Sequence, residues 1–214
     1  MTTKDHLFIQ RLDSLLKGPL PGVSAQMQLE PATRQLFPDR PSAADPPRES
    51  AVLVLLYPQA HSLHTVLIKR NDYNGVHSGQ VSFPGGKMEA SDPDHICTAL
   101  RETREEIGVA ETQIQILGNL SPLYVPPSNF NIQPVVGFSR HALQFSPDPY
   151  EVAEIFTVSM EEMLNPALVK KETVRLADGR LFQVPCYVFH QQIVWGATSM
   201  IISEFIEIVK QALA

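Results

Sequence analysis

The chain has 214 residues, 43% hydrophobic and 19% charged, a composition that buries a core and is too apolar for a disordered segment. Its formal net charge of -6 argues against a sequence-independent nucleic-acid binder, which needs a basic stripe to displace counterions from phosphates. No apolar run reaches 18 residues, so no membrane span is predicted.

The opening stretch, MTTKDHLFIQRLDSLL, alternates charged and apolar positions and lacks the unbroken apolar core of a secretory signal. Within it Leu7, Ile9, Leu12, Leu15 and Leu16 recur at roughly helical spacing, which predicts an amphipathic helix docked on the main body. From Gly18 to Ser50 the prolines at 19, 21, 31, 38, 41, 46 and 47 deny both helix and central strand, so this stretch reads as an arm wrapped over the surface. The predicted division is residues 1–48, helix and Pro-rich arm, and residues 49–214, one main domain.

The run AVLVLLY (Ala51 to Tyr57) has strand length, and HTVLIKR (His64 to Arg70) reads as a second strand after a turn at Gln59 to Ser62. A short third strand, QVSF, ends at Phe83 and leads into the glycine pair Gly85–Gly86. Asp92 as cap and Pro93 at the first helical position predict a helix start, and Gly108 supplies its stop. Beyond it QIQILG (Gln113 to Gly118), QPVVGFS (Gln133 to Ser139) and EIFTVS (Glu154 to Ser159) read as strands. A short helix at Met160 to Leu164, a hairpin around Ala177 to Gly179 and a strand ending in Val194 and Trp195 follow. The last segment, ATSMIISEFIEIVKQAL, sets Met200, Ile201, Phe205, Ile208 and Val209 on one side and predicts a closing amphipathic helix. Strands mixed irregularly with a few helices predict an α+β fold, an α/β/α sandwich rather than a repeating βαβ array. Cys97 and Cys186 are the only cysteines, and Cys97 falls in the predicted helix, so a disulfide framework is not expected. A reducing compartment follows, and since the final Ala-Leu-Ala is not a peroxisomal address, the expectation is cytoplasm.

The stretch after the glycine pair crowds Glu102, Glu105 and Glu106 into one and a half helical turns. Ile96, Leu100, Thr103 and Ile107 share a stripe that should pack on the sheet, which leaves the glutamates together on another face. Like charges at i, i+3 and i, i+4 destabilise a helix by roughly 0.2–0.5 kcal/mol per pair. A hard divalent cation would turn that repulsion into a binding site, since all-oxygen ligation selects ions such as Mg²⁺ or Mn²⁺. A solvated acidic face balanced by Arg101 and Arg104 is the plain alternative.

Gly86 followed by the run Arg101-Glu102-Thr103-Arg104-Glu105-Glu106-Ile107-Gly108-Val109 resembles the Nudix box, the loop-helix-loop signature of divalent-metal-dependent hydrolases of nucleoside diphosphates linked to another group. The first half of the box is one residue longer than usual, and its usual Glu is replaced, with Asp92 the nearest candidate. Both departures resemble the coenzyme A pyrophosphatase branch, whose upstream signature is matched by Arg70 and by Gly79, Gln80-Val81-Ser82 and Phe83-Pro84-Gly85-Gly86. Ile68, Asn71 and Gly75 depart from that signature; at 75 the branch usually has an arginine.

The resemblance implies a Nudix-like sandwich with a mixed sheet, and water attacking a phosphorus of a diphosphate with Mg²⁺ or Mn²⁺ as cofactor. It assigns metal ligation to Glu102, Glu105 and Glu106, with the Gly86 carbonyl as a further ligand. The general base is open between a box glutamate and a later carboxylate, Glu151 or Glu154, with a lean to Glu154. Arg70 and Lys87 are candidates for phosphate contact, as is His77. Phe130 and Tyr73 could stack on a base, and Trp195 could line the site, though packing is the plain role for all three. The expected partner is a small nucleoside diphosphate compound: coenzyme A or a derivative, or alternatively ADP-ribose or a dinucleotide, cut or merely sensed. Neither nucleic acid nor membrane is expected, and the sequence leaves oligomeric state open, a homodimer included.

Overall fold

The apolar run after the arm becomes the middle of one mixed sheet. The computed structural model describes residues 3–36, 45–72, 77–176 and 178–214. In it β1 (Arg48–Gln59) is antiparallel to β2 (Ser62–Arg70), runs parallel to β7 (Phe130–Phe138), and near its start pairs with the short β4 (Gly85–Lys87). Outside these lie β3 (Val81–Ser82) and β8 (Val152–Ser159) on β2, and β5 (Gln115–Asn119) and β6 (Leu123–Val125) on β7. Residues Leu53 to Leu56 are wholly buried although alternate side chains point to opposite faces, because helices cover both faces.

On one face Leu53, Leu55, Ile68 and Val135 pack with Ala99 and Ile107 of α3 (His95–Ile107). On the other, Val54, Leu56, Leu67 and Val136 join Leu12 of α1 (Thr3–Leu16) and Phe205 and Val209 of α5 (Ala197–Leu213). The architecture is thus the expected α+β sandwich. A second, antiparallel sheet of β9 (Val169–Arg175), β10 (Leu181–Phe189) and β11 (Gln192–Trp195) follows α4 (Met160–Leu164). Among the described residues no helix is long and apolar enough to cross a membrane.

Several local expectations are corrected. In α1 the buried stripe is Phe8, Ile9, Leu12 and Leu16, while Leu7 is 51% exposed; one residue of rotation separates the two choices. The arm holds helical turns between its prolines, α2 (Val23–Gln26) and 3₁₀ turns at Met27–Leu29 and Ala32–Leu36. α5 is buried almost all round rather than on one side, since α1 and α2 pack against it in addition to the sheet. Asp92 is not the helix cap: Asp94 is, its carboxylate accepting from Cys97 N at 2.8 Å. Pro38, Pro41, Tyr73, Gly75 and Ala177 lie outside the described residues.

Candidate active site

α3 is held at both ends, by the Asp94 cap and by Gly108 in the left-handed conformation, and it lies across β1 and β4. Its buried face contains Ala99, Thr103 and Ile107, but also Glu106, which is 1% exposed. The expectation that the three glutamates share a face turned from the sheet is therefore corrected. Glu105 is half exposed, Glu102 is largely covered, and Glu106 is inside.

Glu106 meets the glycine pair directly. Its Oε2 accepts from Gly85 N at 2.8 Å, and its Oε1 lies 3.2 Å from the Arg70 guanidinium. That ion pair lacks hydrogen-bond geometry, so Oε1 is buried without a hydrogen-bonding partner. Burial pushes the Glu106 carboxyl up to about 7; Arg70 and the Gly85 N–H oppose the shift, and the charges of Glu102 and Glu151 add to it. Burial raises Glu102 as well.

The glycines are required by what touches them. Gly85 has φ 152°, and a Cβ there would stand 2.3 Å from the Ala51 carbonyl oxygen. A Cβ at Gly86 would fall 2.5 Å from the Glu102 carboxylate, so only glycine lets that carboxylate rest on the β4 backbone.

Arg101 ties the box together. It donates to Asp92 through Nε (3.0 Å) and Nη2 (2.9 Å), to the Lys87 carbonyl at 3.1 Å and to Glu105 at 2.9 Å, and it pairs with Glu102 at 2.9 Å. The guanidinium holds the Asp92 carboxyl far below the usual carboxylate range. Asp92 thus replaces a cap's role with that of a buried counter-ion to the box arginine. Glu105 is turned to Arg101 and Arg104.

Among the described residues no three His, Cys, Asp or Glu side chains are gathered as a ready metal-holding set. Two features nevertheless fit a hard cation: the orphaned Oε1 of Glu106, and the desolvated Glu102 carboxylate resting on Gly86. Gly86 sits opposite Ala51 in the β1–β4 ladder, and a carbonyl has a second lone pair beyond its ladder bond. Glu102, Glu106 and the Gly86 carbonyl are the donors that fit; Glu105 stands apart in its ion pairs.

A cleft of about 1120 Å³ opens in front of β4, with Gly85, Gly86 and Lys87 on its wall and the glutamates behind them. Arg70 faces it but is engaged, donating to the Gly85 carbonyl at 2.6 Å besides pairing with Glu106, so it braces the glycine pair. Lys87 and His77 line the cleft. Phe130 lines it too, its ring covered by the Arg48 guanidinium at 4.1 Å, and Trp195 is part of the wall.

The two later carboxylates separate. Glu154 accepts from Gln192 at 3.1 Å and shares its strand face with Phe156 and Val158, on the α5 side of the sheet. Glu151 ends a loop fastened to the tail of α3, with Ser146 N bonded to the Ile107 carbonyl and Asp148 N to that of Glu106. Its charge is felt by both Glu102 and Glu106. Sequence reasoning missed the contribution of the arm, whose Pro31, Thr33 and Arg34 form part of the cleft wall. No local pattern signals it, because Arg34 is anchored on the Tyr124 carbonyl, 90 residues away.

The chain matches the NUDIX domain family over residues 47–178, more than half its length. It is 33% identical over 181 residues to an uncharacterized Nudix hydrolase, NudL, of Photorhabdus laumondii, across 84% of this chain and 90% of that protein. A NudL of Pectobacterium atrosepticum is 34% identical over 84% of this chain and 88% of its own length. The peroxisomal coenzyme A diphosphatase NUDT7 of Mus musculus is 34% identical over 139 residues, 65% of this chain and 58% of that protein.

Proposed function

The chain belongs to the Nudix family of hydrolases, which act on phosphoanhydride bonds, and from that premise we propose that it cleaves the diphosphate linkage of coenzyme A or a derivative, giving 3',5'-ADP and 4'-phosphopantetheine. The observation that carries the reading is the run from Gly79 to Gly86, which with Arg70 resembles the coenzyme A signature and here joins the cleft to the glutamate helix. The similarity to a coenzyme A diphosphatase supports it. The departure at Ile68 is silent in this respect, since that side chain is wholly buried in the sheet core. The departure at Gly75 favours a second reading, hydrolysis of ADP-ribose or a dinucleotide, because it removes an arginine that could meet a further phosphate.

Glu102 and Glu106, with the Gly86 carbonyl, would hold Mg²⁺ or Mn²⁺, and such an ion when bound neutralises phosphoryl oxygens and lowers the pKa of water. Arg70 holds Gly85 and Glu106 in register, and Arg101 keeps Glu102 oriented. Lys87 offers a point charge to the phosphates from the cleft wall. Glu151, whose charge bears on both Glu102 and Glu106, would take the proton from the attacking water in preference to Glu154. The cytoplasm is the proposed compartment, in keeping with two free cysteines.

A substrate panel with Mg²⁺ or Mn²⁺ tests the reading. Coenzyme A yielding 3',5'-ADP supports it. Inertness to coenzyme A with turnover of ADP-ribose or a dinucleotide selects the second reading, and binding without turnover of any diphosphate identifies a sensor.

A further inference from the structure

His77 sits on the cleft wall one turn ahead of the FPGG run. Its Nδ1 lies 3.0 Å from the amide oxygen of Gln80. An amide oxygen only accepts, so Nδ1 carries the hydrogen, and in a neutral ring Nε2 is left with a lone pair. Nε2 has no hydrogen-bond partner among the described residues. The turn itself is fixed: Gln80 N donates to the His77 carbonyl at 3.2 Å, and Arg70 N to the Gln80 carbonyl at 3.0 Å. The ring is therefore held at the end of β2 rather than free on a loop.

We propose that His77 takes a proton from solvent onto Nε2 as a diphosphate enters the cleft, and donates it in a hydrogen bond to a phosphate oxygen, so that binding and proton uptake are coupled. The proposal rests on the family-level premise that this cleft binds a diphosphate and is independent of the coenzyme A assignment.

The electrostatics supply the reason. Among the described residues the charges that shift His77 are cationic, Arg70 from β2, itself paired with Glu106, and Arg48 from β1, while the nearest carboxylate along the chain, Asp72, lies against Gly79. Lys69 and Lys87 line the same cleft. Burial, opposed by the hydrogen bond to Gln80 and aided by these guanidiniums, holds the imidazole below its ordinary value, so it is mostly neutral in the empty cleft near pH 7. A neutral ring in this tautomer cannot donate to a phosphate. A diphosphate diester brings about two negative charges into the same space, reverses the local field and favours the imidazolium. The sign follows: His77 is more basic when the cleft is filled, so its contribution to affinity is complete below the empty-state value. It is lost as pH rises through the filled-state value, at up to about tenfold per pH unit.

The test uses the full chain with Mg²⁺ and a dinucleoside diphosphate whose bridging oxygen is replaced by methylene, a diester with no phosphate that titrates near neutrality. Calorimetry in two buffers of different ionisation enthalpy counts protons taken up at pH 7 to 7.5. Wild type should take up close to one proton more than His77→Gln, following single-site linkage, and its Kd should rise with pH more steeply than that of the variant. ¹⁵N chemical shifts of the His77 ring in wild type supply a readout that does not depend on the variant's folding. Nε2 should move from an unprotonated to a protonated shift on adding the analogue. Equal proton counts in the two proteins, an unmoved Nε2 resonance, or failure of the analogue to bind would overturn the proposal. Inertness of the enzyme to coenzyme A would leave it standing.

Discussion

Glu106 carries an ionisable group into the core without a hydrogen bond for one of its oxygens. Its carboxyl is raised from the ordinary 4.5 to about 7, so the folded chain binds this proton more tightly than the unfolded chain does. Stability from Glu106 is therefore highest below pH 4.5 and is lost as pH rises toward 7, at a cost on the order of 3 kcal/mol. Melting of metal-free protein between pH 5 and 7.5 should show this decline, Glu106→Gln should flatten it, and Mg²⁺ should restore stability to wild type but not to the variant. Turnover by Glu106→Gln should fall by orders of magnitude. The glycine pair gives a second contrast at the same scale. Gly85→Ala drives a Cβ into backbone atoms of Ala51 and Val52 that cannot move away, so it should cost at least ~2 kcal/mol in denaturant unfolding. Gly86→Ala meets only the flexible end of Glu102, so it should leave stability within ~1 kcal/mol while displacing that carboxylate and lowering kcat.

At the scale of elements, α3 separates capping from charge pairing. Asp94 caps, and Asp94→Ala should cost about 1 kcal/mol, as the loss of one N-cap usually does. Asp92 accepts from both Nε and Nη2 of Arg101, from Thr98 Oγ1 at 3.1 Å and from Glu89 N at 2.9 Å. Removing it strands a largely covered guanidinium, so Asp92→Ala should cost about 3 kcal/mol and lower activity as well. Urea unfolding of the two variants side by side checks the order; a reversed order would return the cap to Asp92. The helix period was readable in the sequence, yet the choice of buried face was not. Glu106 lies seven residues after Ala99, nearly two full turns, and so in the middle of the face that packs on the sheet. A stripe chosen from apolar residues alone passes over it.

For the whole molecule, the arm is fastened by another buried carboxylate. Glu204 of α5 is fully covered and accepts from Gly22 N at 3.1 Å, Ser121 N at 3.2 Å and Gln26 Nε2 at 2.8 Å. Three donors from the arm and the β5–β6 connection satisfy it, and with Ser203 bonded to the Ala25 carbonyl they hold the segment that carries Arg34 to the cleft. Glu204→Leu orphans those donors, and the loss should be ~3 kcal/mol in melting. Limited proteolysis should then cut within residues 18–36 faster than in wild type, with KM rising more than kcat falls.

The sequence by itself determined most of the strands, the three long helices, the glycine pair and the glutamate spacing, because each is a local pattern set by backbone period and residue type, whereas the short β4 and β6 carry no such pattern. It also located the box and the FPGG run in one short stretch, which is why the family was legible. Only the tertiary structure decided which glutamate is buried, that Arg70 braces the glycine pair, that Asp92 is a counter-ion, and that the arm walls the cleft. Those assignments depend on desolvation and on partners tens of residues apart, and no period along the chain encodes either.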